Sequence, residues 1–162
     1  MAPPVIVGID PGLSGGVAIW DGCIMRAYPM PTRALKKGKR DVDVLQIQGD
    51  GLLVHPKLVV VEKVGAMPGQ GVVSMFTFGK GYGKILGMVE TNLWPLEEPT
   101  PQKWKAVVLA GTDRSKEAAV AYVKKRFPGV NLLVGKSTKP HIGMADAVCL
   151  CEYGRRLLEG GK

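Results

Sequence analysis

A run of four apolar residues constrains the fold of this chain more than any other feature of its sequence. Leu58 to Val61 follows Pro56, includes three consecutive valines and ends at the carboxylate of Glu62. A strand that is apolar on both faces belongs to a sheet that helices cover on both sides. The run therefore predicts an α/β fold in which this strand is central.

Four other strands are predicted. Residues 5–10 and 16–20 are short apolar runs on either side of a glycine-rich turn, which indicates an antiparallel pair. A third strand is expected over about residues 23–28, and a short one near residues 93–96. Residues 29–40 are irregular and strongly basic, so we expect a solvated loop there.

Helices are predicted from the spacing of apolar residues. Residues 72–90 and 143–158 have helical length and spacing, and residues 102–110 form a shorter segment of the same kind. A further helix is expected to begin after a cap at Thr112 or Asp113 and to run to residue 127. Residues 42–54, with mixed spacing and two glycines, are also assigned helical character.

Size and composition set the class of protein. The 162 residues, 46% of them hydrophobic, fit one domain spanning residues 1–162 that buries a core without disulfides. Cys149 and Cys151 are expected to be reduced core residues, because the three cysteines lack metal-site spacing. Neither a signal peptide nor an apolar run of about 18 residues is present, which predicts a soluble, intracellular protein with no membrane partner.

Three acidic residues fall where an unpaired charge is costly. Asp10 and Glu62 each close an apolar strand, and Asp146 shares the inward face of the last helix. No lysine or arginine within those strands offers an obvious partner, whereas divalent cations with hard oxygen ligands, Mg²⁺ or Mn²⁺, would neutralise converging carboxylates. Two such ions per site would clamp the attacking and leaving oxygens of a phosphodiester displacement.

Each acid also has an ordinary structural explanation. Asp10 precedes Pro11 and Gly12 and could begin a turn, Glu62 could pair with a loop lysine, and Asp146 could cap a helix. For any one of the three alone, the structural explanation is the better one. Their joint arrangement is what favours a metal site.

The order and spacing of these acids resemble a known family. Gly8-Ile-Asp-Pro-Gly-Leu-Ser-Gly-Gly16, the apolar run into Glu62, and His141-Ile-Gly-Met-Ala-Asp-Ala147 are similar to the pattern of RuvC-family Holliday junction resolvases. The resemblance is strongest to the phage and plant organellar branch of this family, and it spans Val5 to about Arg156. The further segments that carry it are residues 74–83, Pro101-Gln-Lys-Trp-Lys105, Asp113-Arg-Ser-Lys116 and Glu152-Tyr-Gly-Arg-Arg156.

The resemblance implies an RNase H-like fold, with a mixed five-stranded sheet flanked by helices. It implies a homodimer that resolves four-way DNA junctions by two-metal-ion hydrolysis with paired symmetric nicks, in the cytoplasm of a bacterial or phage-infected cell or in a DNA-containing organelle. By the same resemblance Asp10, Glu62 and Asp146 are metal ligands, and Lys116 is the basic residue near the scissile phosphate.

One departure from the family pattern bears on activity. Relatives usually carry a fourth acidic or histidine ligand three to five residues before the last aspartate, and here Ile142 and Gly143 occupy two of those positions. His141 is the remaining candidate, as a metal ligand or a proton-handling group, with a helix cap as the alternative. If His141 does not serve, the chain is expected to bind junctions with weak or no cleavage.

The excess of basic residues predicts a polyanionic partner. The chain has 22 lysines and arginines against 14 acidic residues, a net charge of +8. Aromatic residues near residue 80 could stack on unpaired bases at the junction centre, or could instead be buried in a core or a dimer interface formed by helix 72–89. The candidate DNA-binding residues are Lys36, Lys37, Arg40, Phe76, Phe78, Lys80, Tyr82 and Lys84, for which the alternative is solvated surface.

Two other enzyme classes share parts of this pattern. Actin-like sugar kinases and ATPases also open with strand, glycine-rich turn and strand, but they need two such domains. YqgF-type RNA-processing nucleases share the acidic architecture, so an RNA substrate is a second possibility. The aromatic and glycine-rich segment and the C-terminal motif favour the resolvase branch.

Overall fold

The computed structural model describes residues 3–51 and 55–160, with the side chains of residues 50 and 51 left out. The strands are β1 (Ile6–Asp10), β2 (Gly16–Trp20), β3 (Met25–Pro29), β4 (Thr32–Ala34), β5 (Arg40–Val42), β6 (Leu58–Val61) and β7 (Leu96–Glu97). The helices are α1 (Val44–Gly51), α2 (Val72–Thr91), α3 (Pro101–Val108), α4 (Lys116–Arg126) and α5 (Ile142–Leu158). The end of the helical segment predicted over residues 42–54 lies outside the described residues.

The main sheet has five strands in the order β3-β2-β1-β6-β7. β1 pairs antiparallel with β2 and parallel with β6, and β6 pairs parallel with β7, so the sheet is mixed as predicted. Helices cover both of its faces. Along β6, Val60 packs into one core cluster with Trp104 of α3 and Leu150 of α5, while Val59 packs into the other with Ile85 of α2.

The basic segment over residues 29–40 is not the loop that we predicted. β4 and β5 form an antiparallel hairpin within it, and the chain reverses through positive φ values at Lys37 (59°) and Gly38 (69°). Asp41 and Val42 on β5 are buried and anchor the hairpin against the body of the protein. The many charges therefore indicated exposure of the hairpin tip and not an absence of strand structure.

Other boundaries differ from prediction for local reasons. Ser115, and not Thr112 or Asp113, caps α4, because its Oγ accepts the Ala118 N–H at 3.1 Å. Thr112 and Asp113 instead accept backbone N–H groups in the turn before the helix. β7 begins at Leu96 because Leu93 has a positive φ of 55° in the turn that follows α2.

The two cysteines of the last helix agree with the prediction from the sequence. Cys149 and Cys151 are buried and unpaired in α5, as predicted. Within the described ranges, no helix is both long and apolar enough to cross a membrane.

Glycines let α5 lie directly on the sheet. A Cβ added to Gly8 in β1 would lie 2.3 Å from the Ala147 carbonyl oxygen, and one added to Gly16 in β2 would lie 2.8 Å from the Gly143 carbonyl oxygen. Backbone therefore meets backbone where most proteins interpose side chains. This contact brings Asp146 of α5 to the end of β1, where Asp10 is located.

Candidate active site

Asp10 and Asp146, the first and last acids of the sequence motif, line one cleft of about 460 Å³. Asp10 closes β1, Asp146 lies in the second turn of α5, and both line the cleft together with Lys116 and His141. The cleft is thus formed by the β1–β2 turn, the start of α5 and the start of α4. Four of the five residues predicted for catalysis are brought together here.

Strand pairing brings Glu62 next to this cleft, although Glu62 itself lines a neighbouring depression with Lys63 and Thr100. β1 and β6 run parallel with Ile9 opposite Val61, and the Glu62 N–H donates to the Ile9 carbonyl oxygen at 3.1 Å. The residues that follow two parallel strands emerge at one edge of the sheet, so Glu62 and Asp10 are neighbours. Trp104 of α3 donates its indole N–H to Glu62 Oε2 at 2.7 Å.

Burial raises the pKa of all three acids. Burial, followed by the charges of Glu62 and Asp146, raises the pKa of Asp10 from its ordinary value of 3.8 to about 7. Burial is also the main cause that raises the pKa of Asp146 to about 6, and the pKa of Glu62 is raised by burial against the lowering effects of Trp104 and Lys105. The charges of Lys105 and Lys116 offset only part of these effects, so each pKa stays above its ordinary value.

One oxygen of this cluster has no protein partner. Asp146 Oδ1 is buried, and no hydrogen-bond donor among the described residues reaches it. Within the same residues, no three His, Cys, Asp or Glu side chains are grouped tightly enough to hold a metal ion as they stand. The charge of Glu62 raises the pKa of both Asp10 and Asp146, so the acids are close in space, but their side chains must move before they share an ion.

His141 is the N-cap of α5. Its Nδ1 accepts the Met144 N–H at 3.1 Å, and burial lowers the pKa of the imidazole, so the neutral ring carries its proton on Nε2. A nitrogen that carries a proton donates hydrogen bonds and does not ligate a cation. While the cap is intact, this geometry favours a hydrogen-bond donor at Nε2, and both the ligand role and the proton-handling role would require the cap bond to Nδ1 to break or the proton to move.

Gly143 lies too close to the β1–β2 turn to be replaced by an acid. A Cβ on Gly143 would lie 2.3 Å from the Ser14 carbonyl oxygen and 2.5 Å from Gly15 Cα. Backbone atoms on both sides leave no space for a side chain. The departure from the family pattern at this position is therefore a packing requirement of this chain.

We expect Gly143→Ala to lower the free energy of unfolding by about 3 kcal/mol, because the new methyl group must displace backbone. Urea unfolding followed by circular dichroism measures this. Gly87→Ala in α2 is the matched control, since a Cβ there meets nothing within 4 Å and alanine is the better helix former by about 1 kcal/mol. Equal effects of the two substitutions would contradict the contact.

Comparison with known proteins bears on the architecture. No protein-family model and no curated protein sequence matches the chain. Thermus thermophilus RuvC superposes with a TM-score of 0.57 at 18% identity over 96% of both chains, and its complex with a Holliday junction substrate with 0.62 at 18% identity over 98% of this chain and 96% of that one. The yeast mitochondrial Holliday junction resolvase Ydc2 superposes with a TM-score of 0.57 at 13% identity over 96% of this chain and 80% of its own.

The chain has the RuvC fold. The predicted fold class is thereby confirmed.

On this RuvC fold, two lysines face the acids. Lys116 is the first residue of α4 and lines the cleft with Asp10 and Asp146. Lys105 of α3 lowers the pKa of Glu62 and Asp146 through its charge, and its ammonium group lies 5.3 Å from the centre of the Trp104 ring. The sequence motif that contains Trp104 and Lys105 was noted for its resemblance, but periodicity alone gives neither residue a role.

The predicted DNA-binding residues divide into two groups. Lys36, Lys37 and Arg40 are exposed on the hairpin, and Phe76 and Phe78 have exposed fractions of 74% and 37% on α2. A groove of about 670 Å³ between hairpin and helix is lined by Arg40, Phe76, Phe78 and Lys80 among others. These residues form one surface beside the β1–β2 turn.

Tyr82 and Lys84 are engaged elsewhere. The Tyr82 hydroxyl donates to Glu98, and Lys84 donates to the Val42 carbonyl oxygen and, at 3.0 Å, to Asp41. Burial alone would raise the pKa of Asp41, yet its bonds with the neighbouring lysines hold that pKa below the ordinary value. Lys84 therefore ties the hairpin to α2 rather than facing the groove.

Asp41→Asn is expected to strengthen binding to linear duplex DNA a few-fold at low salt and to lower the free energy of unfolding by about 1–3 kcal/mol. The carboxylate lies 3.5 Å from Lys80 Nζ and 3.7 Å from Arg33, and its removal frees both cations for phosphates. Fluorescence anisotropy at several salt concentrations measures the affinity. Asp21→Asn, which breaks an exposed ion pair with Arg26, is the control and should change neither quantity much.

Proposed function

We propose that this protein is a structure-selective endonuclease that resolves four-way DNA junctions by hydrolysis dependent on Mg²⁺ or Mn²⁺. The observation that carries the proposal is the cluster of Asp10, Glu62 and Asp146, in which burial raises all three pKa values, repulsion adds to this at Asp10 and Asp146, and Asp146 Oδ1 has no hydrogen-bond partner among the described residues. Such a cluster is costly to maintain unless a cation compensates it. Hard oxygen donors on a RuvC fold suit Mg²⁺ and Mn²⁺.

The residues of the chain have separable roles in the proposed reaction. Two divalent ions bound by the three acids would supply charge neutralisation at the attacking and leaving oxygens of the phosphodiester. Lys116 and Lys105 flank the acids and offset negative charge that develops on the phosphate. His141, with its proton on Nε2 and its Nδ1 engaged in the cap, donates a hydrogen bond towards an oxygen in the cleft.

Binding of the substrate is proposed to rest on charge and on the groove beside the hairpin. The net charge of +8 supplies sequence-independent affinity for phosphates. Phe76, Phe78 and Lys80 offer stacking surfaces and a cation next to the β1–β2 turn. T. thermophilus RuvC, which has the same fold, is known in complex with a Holliday junction substrate.

Paired nicks require two active sites related by symmetry, and we propose a C2 homodimer for that reason. The first half of α2 is the candidate for packing near the dimer axis, because Val72 and Val73 are largely exposed there. Sedimentation of the full chain, alone and with junction DNA, tests this assembly.

The test of the function is cleavage of three labelled substrates with Mg²⁺ or Mn²⁺: a synthetic four-way junction, a matched linear duplex and an RNA-containing duplex. We expect paired, symmetric nicks in the junction alone. Cutting of the RNA-containing duplex instead would indicate an RNA-processing nuclease. Cutting of all three substrates would remove the structural selectivity from the proposal.

A second function is a junction-binding protein with weak or no cleavage. Gly143 and Ile142 stand where relatives carry a further ligand, and His141 is engaged as a helix cap. Tight junction binding without nicks in either metal would favour this alternative. A loss of cutting in His141→Ala with intact junction binding would instead establish His141 as the fourth functional residue.

A further inference from the structure

Among the described residues, the indole N–H of Trp104 makes one hydrogen bond, and it is to Glu62. The side chain is fully buried, and its Nε1–H donates to Glu62 Oε2 at 2.7 Å. Among the described residues, no other side chain hydrogen-bonds to this carboxylate. Glu62 therefore has its orientation set by one neutral donor from α3.

The frame that holds Trp104 is fixed to the strand that carries Glu62. The Lys63 N–H donates to the Pro99 carbonyl oxygen at 2.9 Å, which ties the end of β6 to the residues before α3. Thr100 then caps α3 by accepting the Lys103 N–H at 3.2 Å. Carboxylate and indole thus belong to one rigid corner of the molecule.

An indole N–H is suited to hold a ligand without competing for a cation. It donates one hydrogen bond, accepts none and carries no charge. It can therefore orient the carboxylate without neutralising the negative charge that a cation would bind. With Oε2 engaged, Oε1 is the carboxylate oxygen that is left to bind a cation. Hydrogen bonds of this kind from outside the ligand set orient carboxylate ligands in metal sites.

We propose that Trp104 is a positioning residue that presets Glu62 for a divalent cation. This inference rests on the proposed function, because it assigns Glu62 to cation binding. It adds that the affinity of the site depends on a buried tryptophan which touches neither substrate nor metal. It also makes Trp104 an internal reporter, since a cation at Glu62 alters the field at the indole to which Glu62 is bonded.

The chain offers a matched control in Trp94. This residue is also buried, and its Nε1 has no hydrogen-bond partner among the described residues. Trp94→Phe removes an N–H group that bonds to nothing, whereas Trp104→Phe removes the bond to Glu62. Both variants lose the same atoms from a core position, so a general effect of core damage is common to the two.

The first experiment titrates Mn²⁺ into the chelator-treated full chain by isothermal calorimetry. We expect Trp104→Phe to bind Mn²⁺ about 10–100-fold more weakly, while Trp94→Phe binds it as the original chain does. With junction DNA, kcat should fall by a similar factor in Trp104→Phe and KM should stay within about two-fold. Unchanged Mn²⁺ affinity in Trp104→Phe, or an equal loss in Trp94→Phe, overturns the positioning role.

A second measurement does not depend on the folding of Trp104→Phe. The chain has three tryptophans, so Trp20→Phe combined with Trp94→Phe leaves Trp104 as the sole emitter. Its fluorescence should change on titration with Mg²⁺, and Glu62→Gln in this background should abolish the change. If the fluorescence does not change with Mg²⁺ although calorimetry detects binding, the proposal is overturned. It is also overturned if the chain binds neither Mg²⁺ nor Mn²⁺.

These outcomes separate the inference from the proposed function. If Mn²⁺ binding depends on Trp104 but the chain cuts no junction, the proposed nuclease activity is wrong and the positioning role of Trp104 stands. Junction cutting that survives Trp104→Phe with unchanged Mn²⁺ affinity removes the positioning role and leaves the nuclease.

Discussion

Asp146→Asn is expected to reduce junction cleavage by about a thousand-fold, on the scale of removing one essential group from a preorganised site. The same substitution should raise the free energy of unfolding by about 1–3 kcal/mol at pH 8 in a chelating buffer. It replaces a buried carboxylate that has one oxygen without a partner with a neutral amide of the same shape. Activity and stability should therefore change in opposite directions.

Initial rates on a labelled junction and urea unfolding test both halves of this prediction. Glu90→Gln, at an exposed position of α2, is the control for loss of one negative charge and should leave both quantities unchanged. A destabilised Asp146→Asn protein would mean that the carboxylate has a protein partner after all. Full cleavage by that variant would exclude Asp146 from the active site.

Without divalent cations, the protein is expected to lose stability as the pH rises, because of Asp10. Its pKa is about 7 in the folded state against an ordinary 3.8, so between these values the folded chain binds more protons than the unfolded chain. The free energy of unfolding then falls with rising pH across that window. The loss is complete above pH 7 and amounts to at most about 4 kcal/mol for a shift of this size.

The measurement is urea unfolding at pH 5 and pH 8, with chelator, for the original chain and for Asp10→Asn. Four other carboxyl groups have lowered pKa values, which make the free energy of unfolding rise with pH: Asp21, Asp41, Asp113 and Glu152. Their contribution is the same in both proteins, so it cancels when the two free energies are subtracted. Added Mg²⁺ should restore stability at pH 8 in the original chain only. A difference that does not depend on pH would show that Asp10 is ionised without penalty.

Much of the site could be predicted because its acids mark the ends of apolar elements. Asp10 and Glu62 follow strands whose burial is evident from composition, and Asp146 falls on the apolar face of a helix. Parallel pairing then brings the strand ends together without further information. The sheet and its helices follow from the same periodicities.

The remaining features depend on contacts between distant segments. The hairpin is anchored through Asp41, which contacts Lys84, 43 residues later in the chain, and a run of lysines carries no signal of that contact. Trp104 and Lys105 are 42 and 43 residues from Glu62 in sequence, and only the packing of α3 brings them close. The reason for glycine at position 143 likewise lies in another segment, at Ser14.

The contacts of α5 with the sheet also determine which parts of the site move together. Gly8 and Gly143 place the helix backbone against β1 and the β1–β2 turn, so Asp10 and Asp146 are carried by what is effectively a single solid piece. The backbone of Glu62 is bonded to Ile9 of β1, so it belongs to the same solid unit, and only its side chain is oriented from elsewhere, by Trp104 of α3. Closing the three acids around an ion is therefore a matter of side-chain rotation and not of strand movement. Substitutions that loosen α3 should change the orientation of the Glu62 carboxylate, whereas those that loosen α2 should leave it unaltered.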